Sequence, residues 1–363
     1  MEVSLHIALI AEKRSTYIAL GHSEADCAAL PHDGEIQAVF DTLKGLGHHV
    51  TLVPGICALV KQLAAGQHRH WDLAFNMSQG FYGPAREAQV PALLEAYNIT
   101  HTFSDATTMA LCQNKANTKP VTEGSSKGIE CFNKVNEPEE LESAVHELRA
   151  TFPEQDILVE AFLAGREFTV SILGTGAAGQ VIGIREHVWQ DPSAEATPSS
   201  SSPSLSPSEG MMSMGNGIKP QDGRPDYANC KSKSSNSGSE RIYFTDDHDM
   251  DDPLIKAACQ VSLNAWAALG CRDAGRVDLR FDNDGPDAIP NVLEVNPISG
   301  LLPHHSPLPV CAELSGIGFE TLLAAIVASA LERKSETLVP PEQDKDGTQD
   351  AGMEIPLVII ESE

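Results

Sequence analysis

Two neighbouring stretches of the chain carry polar side chains that could hold a hard metal ion. In residues 276–282 and 292–296, apolar and polar residues alternate, and the segment between them is rich in Asn, Asp, Gly and Pro. This period of two predicts an antiparallel hairpin with one apolar and one polar face. The polar side chains are Arg276, Asp278, Glu294 and Asn296. Three oxygen donors on one patch suit Mg²⁺ that bridges nucleotide phosphates, and the alternative is an ordinary solvated face.

Two other segments carry groups that could contact a nucleotide. The glycine-rich segment 123–128, Glu-Gly-Ser-Ser-Lys-Gly, suits a flexible flap over phosphates, because glycine frees backbone N–H groups. Such a segment is also common in ordinary turns. Glu160 and Glu167 bracket a bend between two predicted strands, where they could accept hydrogen bonds from an adenine amine and ribose hydroxyls, or could face solvent.

The elements that precede these groups alternate between strand and helix. Strands are predicted at 3–11, 49–53 and 71–76, and a long loop follows the first of them. Helices are predicted at 36–46, 57–65 and 87–97. This alternation predicts an α/β fold with a doubly wound parallel sheet, in which ligands bind beyond the carboxyl ends of the strands.

The rest of the chain adds further elements. They are helices at 138–151, 253–269 and 318–333 and strands at 156–160 and 161–173, and order resumes at 242–245 after a low-complexity segment. The acidic run 246–252 lacks the spacing of a calcium loop and predicts a helix cap.

Composition excludes several classes of protein. The 363 residues carry a formal net charge of −26 and no basic run, which argues against a nucleic-acid partner. The eight cysteines show no metal-ligand spacing, which is typical of reduced thiols in a cytoplasmic protein. We also expect no membrane span and no signal peptide.

The series of motifs resembles the D-alanyl-D-alanine ligase branch of the ATP-grasp superfamily. The resemblance runs from about residue 71 to residue 333. The matching segments are Phe75–Gly83, Thr108–Lys115 with Lys119, Glu123–Ser126, Val159–Glu160, Gly165–Val170, Arg276–Asp278, and Leu293–Pro297 with Gly300, Leu301 and Ser306. The resemblance implies an ATP-grasp fold preceded by a doubly wound parallel-sheet domain.

The same resemblance implies a reaction and its cofactors. In this family ATP phosphorylates a carboxylate, and an amine attacks the acyl phosphate to form an amide, ADP and phosphate. The substrates are small amino acids or related carboxylates, the cofactors are ATP and two Mg²⁺ ions, with Mn²⁺ as the alternative ion, and many relatives are homodimers.

Roles follow for the positions that match. For the metal ions, the resemblance implies Asp278, Glu294 and Asn296. For the oxyanion of the reaction it implies Arg276 and the Gly300 N–H, with Ser125 near the reacting group. For ATP it implies Lys115, Lys119, Glu123, Gly124, Ser125, Ser126, Glu160, Glu167 and Lys231. For the substrates it implies Ser306, and Glu35 by position alone.

The chain departs from the family pattern on the substrate side and at one junction. After strand one the family carries a segment whose glutamate holds the first amino group, and this chain has a different sequence there. Gln79-Gly80 stands where the family has His-Gly. Between Lys119 and Pro120 a segment of the small nucleotide domain is missing.

The sequence predicts five regions. They are 1–114, an N-terminal α/β domain; 115–190, a nucleotide subdomain truncated at 119/120; 191–240, a low-complexity mobile insertion; 241–334, the C-terminal subdomain with the metal site; and 335–363, an acidic tail.

Three functions agree with these observations. The first is an ATP-dependent amide-forming ligase. The second is a non-catalytic relative that lacks part of the ATP site. The third is an ATP-grasp ligase whose nucleophile is not an amino acid.

Overall fold

The computed structural model describes residues 4–24, 26–113, 137–151, 161–189 and 242–337, together with residues 135, 157 and 159. Several predicted site residues lie outside these ranges. They are Lys115, Lys119, Glu123, Gly124, Ser125, Ser126, Glu160 and Lys231. The Lys119/Pro120 junction and the predicted insertion 191–240 also lie outside them.

The first sheet has three parallel strands in the order β2-β1-β3. The strands are β1 (His6–Ile10), β2 (His49–Val53) and β3 (Leu73–Asn76). The helices around them are α1 (Arg14–Ala19), α2 (Asp33–Gly45), α3 (Gly55–Ala64), α4 (Gln89–Ala96) and α5 (Ala106–Gln113). Leu9 packs with α2 on one face, whereas Ile10 packs with α3 and α4 on the other. Helices on both faces confirm the predicted doubly wound arrangement.

Helix α1 was not expected, because the sequence predicts a loop between β1 and α2. None of the residues of α1 is buried. A helix without a buried side carries no apolar stripe, so periodicity cannot reveal it.

Within the described ranges, the second sheet has five antiparallel strands in the order β6-β5-β4-β7-β8. The strands are β4 (Glu167–Leu173), β5 (Gln180–Trp189), β6 (Ile242–Thr245), β7 (Ala274–Phe281) and β8 (Pro290–Asn296). In the β7–β8 hairpin, Asp278 lies opposite Glu294 and Arg276 lies opposite Asn296. This register confirms the predicted hairpin and its shared polar face. Of the strand predicted at 156–160, residues 157 and 159 are described and are not in a strand.

Four further α-helices lie in the described part of the chain. They are α6 (Pro138–Thr151), α7 (Pro253–Ala268), α8 (Pro307–Leu314) and α9 (Phe319–Thr337). Helix α7 packs Trp266 under the apolar face of the sheet, where a Cβ on Gly275 would come within 2.6 Å of the indole ring. The Asp252 carboxylate accepts a hydrogen bond from the Leu254 N–H, which confirms the predicted helix cap. Helix α9 shares a core with α2 and thereby joins the two sheets.

Among the residues described, no single helix has both the length and the apolar character needed to cross a membrane. Helices α8 and α9 meet that test only as a pair, and the pair is bent by 110°.

Candidate active site

The polar face of the β7–β8 hairpin brings four predicted site residues together. The Asn296 Nδ2 donates to Asp278 Oδ2 at 3.2 Å and to Glu294 Oε1 at 3.1 Å. The Arg276 guanidinium lies 3.3 Å from Asp278 Oδ2 through Nε and 3.8 Å from Glu294 Oε1 through Nη2. Opposed positions on neighbouring antiparallel strands bring side chains of one face into contact, so the register alone assembles this cluster.

The electrostatics of the cluster suit a cation. Burial raises the pKa of Asp278 above its ordinary range; the Arg276 guanidinium lowers this pKa, and the Glu294 carboxylate raises it. Two neighbouring carboxylates therefore repel each other, and Arg276 compensates them in part. A bound divalent ion would supply the remaining positive charge.

The donor set fits Mg²⁺ when phosphate and water complete the coordination. Within the part of the chain that the structure describes, no three His, Cys, Asp or Glu side chains converge as a metal site. The hairpin supplies two carboxylates and one amide, and Mg²⁺ in nucleotide sites takes one or two carboxylates plus phosphate oxygens. Asn296 presents its nitrogen to the carboxylates, so its oxygen can ligate only after the amide turns over. The Arg276 Nε–H is buried and makes no hydrogen bond within the described part of the chain, although it lies within ion-pair distance of Asp278.

A second wall of the site lies just beyond the end of β8. Glu35, in the first turn of α2, accepts a hydrogen bond from the Leu301 N–H through Oε1 at 2.7 Å. The Ser306 hydroxyl accepts one from the Leu302 N–H at 3.2 Å. A Cβ on Gly300 would come within 2.7 Å of Ser306 Oγ and 3.9 Å of Glu35 Oε1. The structure therefore brings Glu35, Gly300 and Ser306 together.

Glu35 lies in a confined environment. Its side chain is buried, and burial raises the pKa of its carboxyl; the hydrogen bond from Leu301 lowers it. An ammonium group bound next to Glu35 would stabilise the ionised carboxylate.

The loop that carries Gln79 is held by a residue that the sequence did not single out. Glu12, at the carboxyl end of β1, is 2% exposed. Its Oε1 accepts from the Ser78 hydroxyl at 2.6 Å, and its Oε2 accepts from the Gln79 N–H at 3.1 Å. Glu12 comes just after a buried strand, and the carboxyl ends of parallel strands lie at one edge of the sheet, where ligands bind. This position in the sequence could have identified Glu12.

Glu167 was predicted to contact the nucleotide, and it lies at the start of β4 on the polar face of the sheet. Its Oε2 accepts from Arg280 Nη1 at 3.3 Å, and its Oε1 lies 3.8 Å from His187 Nδ1. Thr169 follows on the same face and donates to Asp278 Oδ1 at 2.8 Å. Sequence reasoning missed Thr169 and His187, although the period of two along β4 places Thr169 beside Glu167.

Comparison with known proteins gives the family. The family model described as "D-ala D-ala ligase C-terminus" matches residues 111–192 and 214–328, which together exceed half of the chain. The chain is 26% identical over 337 residues to the D-alanine–D-alanine ligase of Xanthomonas axonopodis pv. citri, which covers 81% of this chain and 88% of the relative. It is 30% identical over 218 residues to that of Bordetella pertussis, which covers 58% of this chain and 52% of the relative.

Solved structures give the same fold. The D-alanine–D-alanine ligase of Bacillus anthracis complexed with ATP superposes with a TM-score of 0.58 at 17% identity, covering 93% of this chain and all of that one. The ligase of Coxiella burnetii has a TM-score of 0.58 at 17% identity and covers 92% of this chain and 96% of its own. The matches favour the ligase interpretation over a non-catalytic relative. The chain belongs to the D-alanine–D-alanine ligase family and is an ATP-grasp carboxylate–amine ligase.

Proposed function

We propose that this chain uses ATP and Mg²⁺ to join a small amino acid, or a related carboxylate, to a second amino acid. The product is an amide, and the reaction passes through an acyl phosphate. The observation that carries the proposal is the cluster of Arg276, Asp278, Glu294 and Asn296 on one face of the hairpin. The wall formed by Glu35, Gly300 and Ser306 begins only a few residues beyond it in the chain.

The hairpin would position the phosphoryl group. Asp278 would hold one Mg²⁺, Asn296 a second, and Glu294 both, with Mn²⁺ as the alternative ion. The metal ions would neutralise charge on the transferring phosphoryl oxygens, which is the main need of this chemistry. Arg276, whose Nε–H is buried and bonds to none of the residues described, would donate to the oxyanion that develops when the amine attacks.

The second wall would hold the two amino acids. Glu35 would bind the ammonium group of the first, since its buried carboxylate gains from a cation. Ser306 would bind the carboxylate of the second, and the Gly300 N–H would donate to the oxyanion. The absence of a side chain on Gly300 leaves the space between Ser306 and Glu35 open.

The remaining roles stay predictions, and most of them fall on residues outside those described. The flap residues Glu123, Gly124, Ser125 and Ser126 would cover the phosphates, and Lys115, Lys119 and Lys231 would neutralise them. Glu160 and the described Glu167 would contact adenine and ribose. The homodimer and the cytoplasmic location are likewise predictions.

Incubation of the purified chain with ATP, Mg²⁺ and pairs drawn from D- and L-amino acids and hydroxy acids tests the proposal. Phosphate release should require two acceptable substrates, and mass spectrometry should show a product equal to their sum less one water. D-Alanine is the first substrate to try, because the relatives are named for it. A folded sample that binds Mg-ATP but releases no phosphate with any pair would contradict the proposal.

A further inference from the structure

A chain of polar contacts crosses the face of the second sheet from Asp278 to Glu167. The Thr169 hydroxyl donates to Asp278 Oδ1 at 2.8 Å, and His187 Nε2 lies 3.2 Å from the same hydroxyl oxygen. The other ring nitrogen of His187, Nδ1, lies 3.8 Å from Glu167 Oε1. The strand register produces this order, because Thr169 lies opposite Asp278 and Glu167 lies opposite His187.

The hydrogen bonds have a defined direction. An ionised Asp278 only accepts, so the single hydroxyl proton of Thr169 points to it. The contact between Thr169 and His187 then requires Nε2 to carry the proton and donate to the hydroxyl oxygen. Nδ1 faces the Glu167 carboxylate at 3.8 Å. Asp278 therefore orients Thr169, and Thr169 orients His187.

Three side chains of this series are also restrained from rotation. Thr169 is buried, and the ring of His187 meets the ring of Phe244 edge-on with centroids 5.2 Å apart. Glu167 is held through its second oxygen by Arg280 at 3.3 Å. The two carboxylates that the family resemblance assigns to ribose and to metal are thus linked by two residues to which it assigns no role.

We propose that Thr169 and His187 are positioning residues that hold Asp278 in its metal-facing orientation and couple it to the ribose contact of Glu167. This inference rests on the proposed function, because it takes Asp278 as a metal ligand and Glu167 as a ribose ligand. Thr169 holds Oδ1 of Asp278, so the cation would reach Oδ2, which accepts from Asn296 Nδ2 in this structure and is released when that amide turns over. Mg²⁺ affinity should then depend on whether the nucleotide has ribose hydroxyls.

Calorimetry tests the coupling with a non-hydrolysable ATP analogue and its 2′,3′-dideoxy form as probes. In the unmodified chain, Mg²⁺ should bind more weakly with the dideoxy analogue than with the ribose analogue. Thr169→Val keeps the shape of the side chain and removes the hydroxyl. It should raise the Mg²⁺ Kd by about 10- to 100-fold, as is usual when a residue that orients a metal ligand is lost, and should abolish the difference between the two nucleotides.

Three further variants separate positioning from folding. Thr169→Ser retains the hydroxyl and should restore both the Mg²⁺ affinity and the difference between nucleotides. His187→Gln keeps an N–H donor for Thr169 but no group that faces Glu167, so it should weaken the coupling more than the Mg²⁺ affinity. Thr245→Val changes an exposed threonine of the same sheet and should behave as the unmodified chain.

The outcomes distinguish this inference from the proposed function. If the unmodified chain binds no Mg²⁺ with either nucleotide, the proposed function fails. If the unmodified chain binds Mg²⁺, two results would show that the positioning role is wrong. One is that Thr169→Val retains both the Mg²⁺ affinity and the coupling. The other is that Thr169→Ser loses as much Mg²⁺ affinity and coupling as Thr169→Val.

Discussion

The two walls of the candidate site are built in different ways. The hairpin wall consists of side chains that lie opposite one another on adjacent strands, with Asp278 facing Glu294. The substrate wall joins Glu35 of α2 to Leu301, from opposite ends of the chain. A strand register can therefore bring polar side chains together from neighbouring strands, whereas the substrate wall requires elements from distant parts of the chain to pack together.

The walls also differ in how they balance charge. Among the hairpin residues, Arg276 lies within ion-pair distance of both carboxylates. Glu35 is stabilised chiefly by a backbone N–H in a buried place. Changes at the hairpin should therefore act on catalysis, and changes at the substrate wall should act on packing, substrate binding and the pH dependence of stability.

The largest effect is expected from Glu294→Gln. It removes a carboxylate that should hold cations at the transferring phosphoryl group, and kcat/KM for phosphate release should fall by about 100- to 1,000-fold. Folding stability should be kept or slightly raised, because Glu294 raises the pKa of Asp278 by repulsion. Asp287→Asn, on the exposed connection of the same hairpin, is the matched control. Unchanged turnover in Glu294→Gln would refute the metal role.

An intermediate effect is expected from Gly300→Ala. The new Cβ would lie 2.7 Å from Ser306 Oγ, closer than such atoms approach, so Ser306 must turn and lose the hydrogen bond from Leu302. We expect a loss of about 1–3 kcal/mol in the free energy of unfolding, as for other overpacked sites. The KM of the second amino acid should rise, whereas the Mg²⁺ requirement should not change.

Chemical denaturation and initial-rate kinetics measure both effects of Gly300→Ala. Gly318→Ala is the control, because a Cβ there meets nothing within 4 Å. Equal behaviour of the two variants would show that Gly300 does not shape the substrate wall.

The smallest effect is expected from Glu35→Gln, and it should depend on pH. The pKa of Glu35 is raised above its ordinary value of 4.5 in the folded chain. The unfolded chain therefore ionises first as the pH rises, and the unmodified protein loses stability between pH 4.5 and the raised pKa. The glutamine variant does not titrate, so its Tm relative to the unmodified chain should increase through this window and then level off.

Thermal unfolding at a series of pH values measures this difference. If the Tm difference between the two proteins stays constant, or falls as the pH rises, burial does not raise the pKa of Glu35 in the folded chain. Adding the first amino acid should reduce the difference if its ammonium group binds there.

Much of the site could be predicted from sequence because strands have a strict period. The alternation around Asp278, Glu294 and Asn296 predicts both the hairpin and the shared face, and the register confirms them. Thr169 was missed because a lone threonine on a strand carries no distinctive signal until the neighbouring strand places Asp278 opposite it. Helix α1 was missed because an exposed helix has no apolar stripe.

The α/β order, the polar face of the hairpin and the resemblance to a family follow from the sequence, because each depends on residues near one another in the chain. Which distant groups meet follows from the tertiary structure. It placed Glu35 against Leu301 through the packing of α9 on α2, and it connected Asp278 to Glu167 through Thr169 and His187. The physical reason is that long-range contacts arise from the packing of whole helices and sheets, which no local pattern of residues specifies.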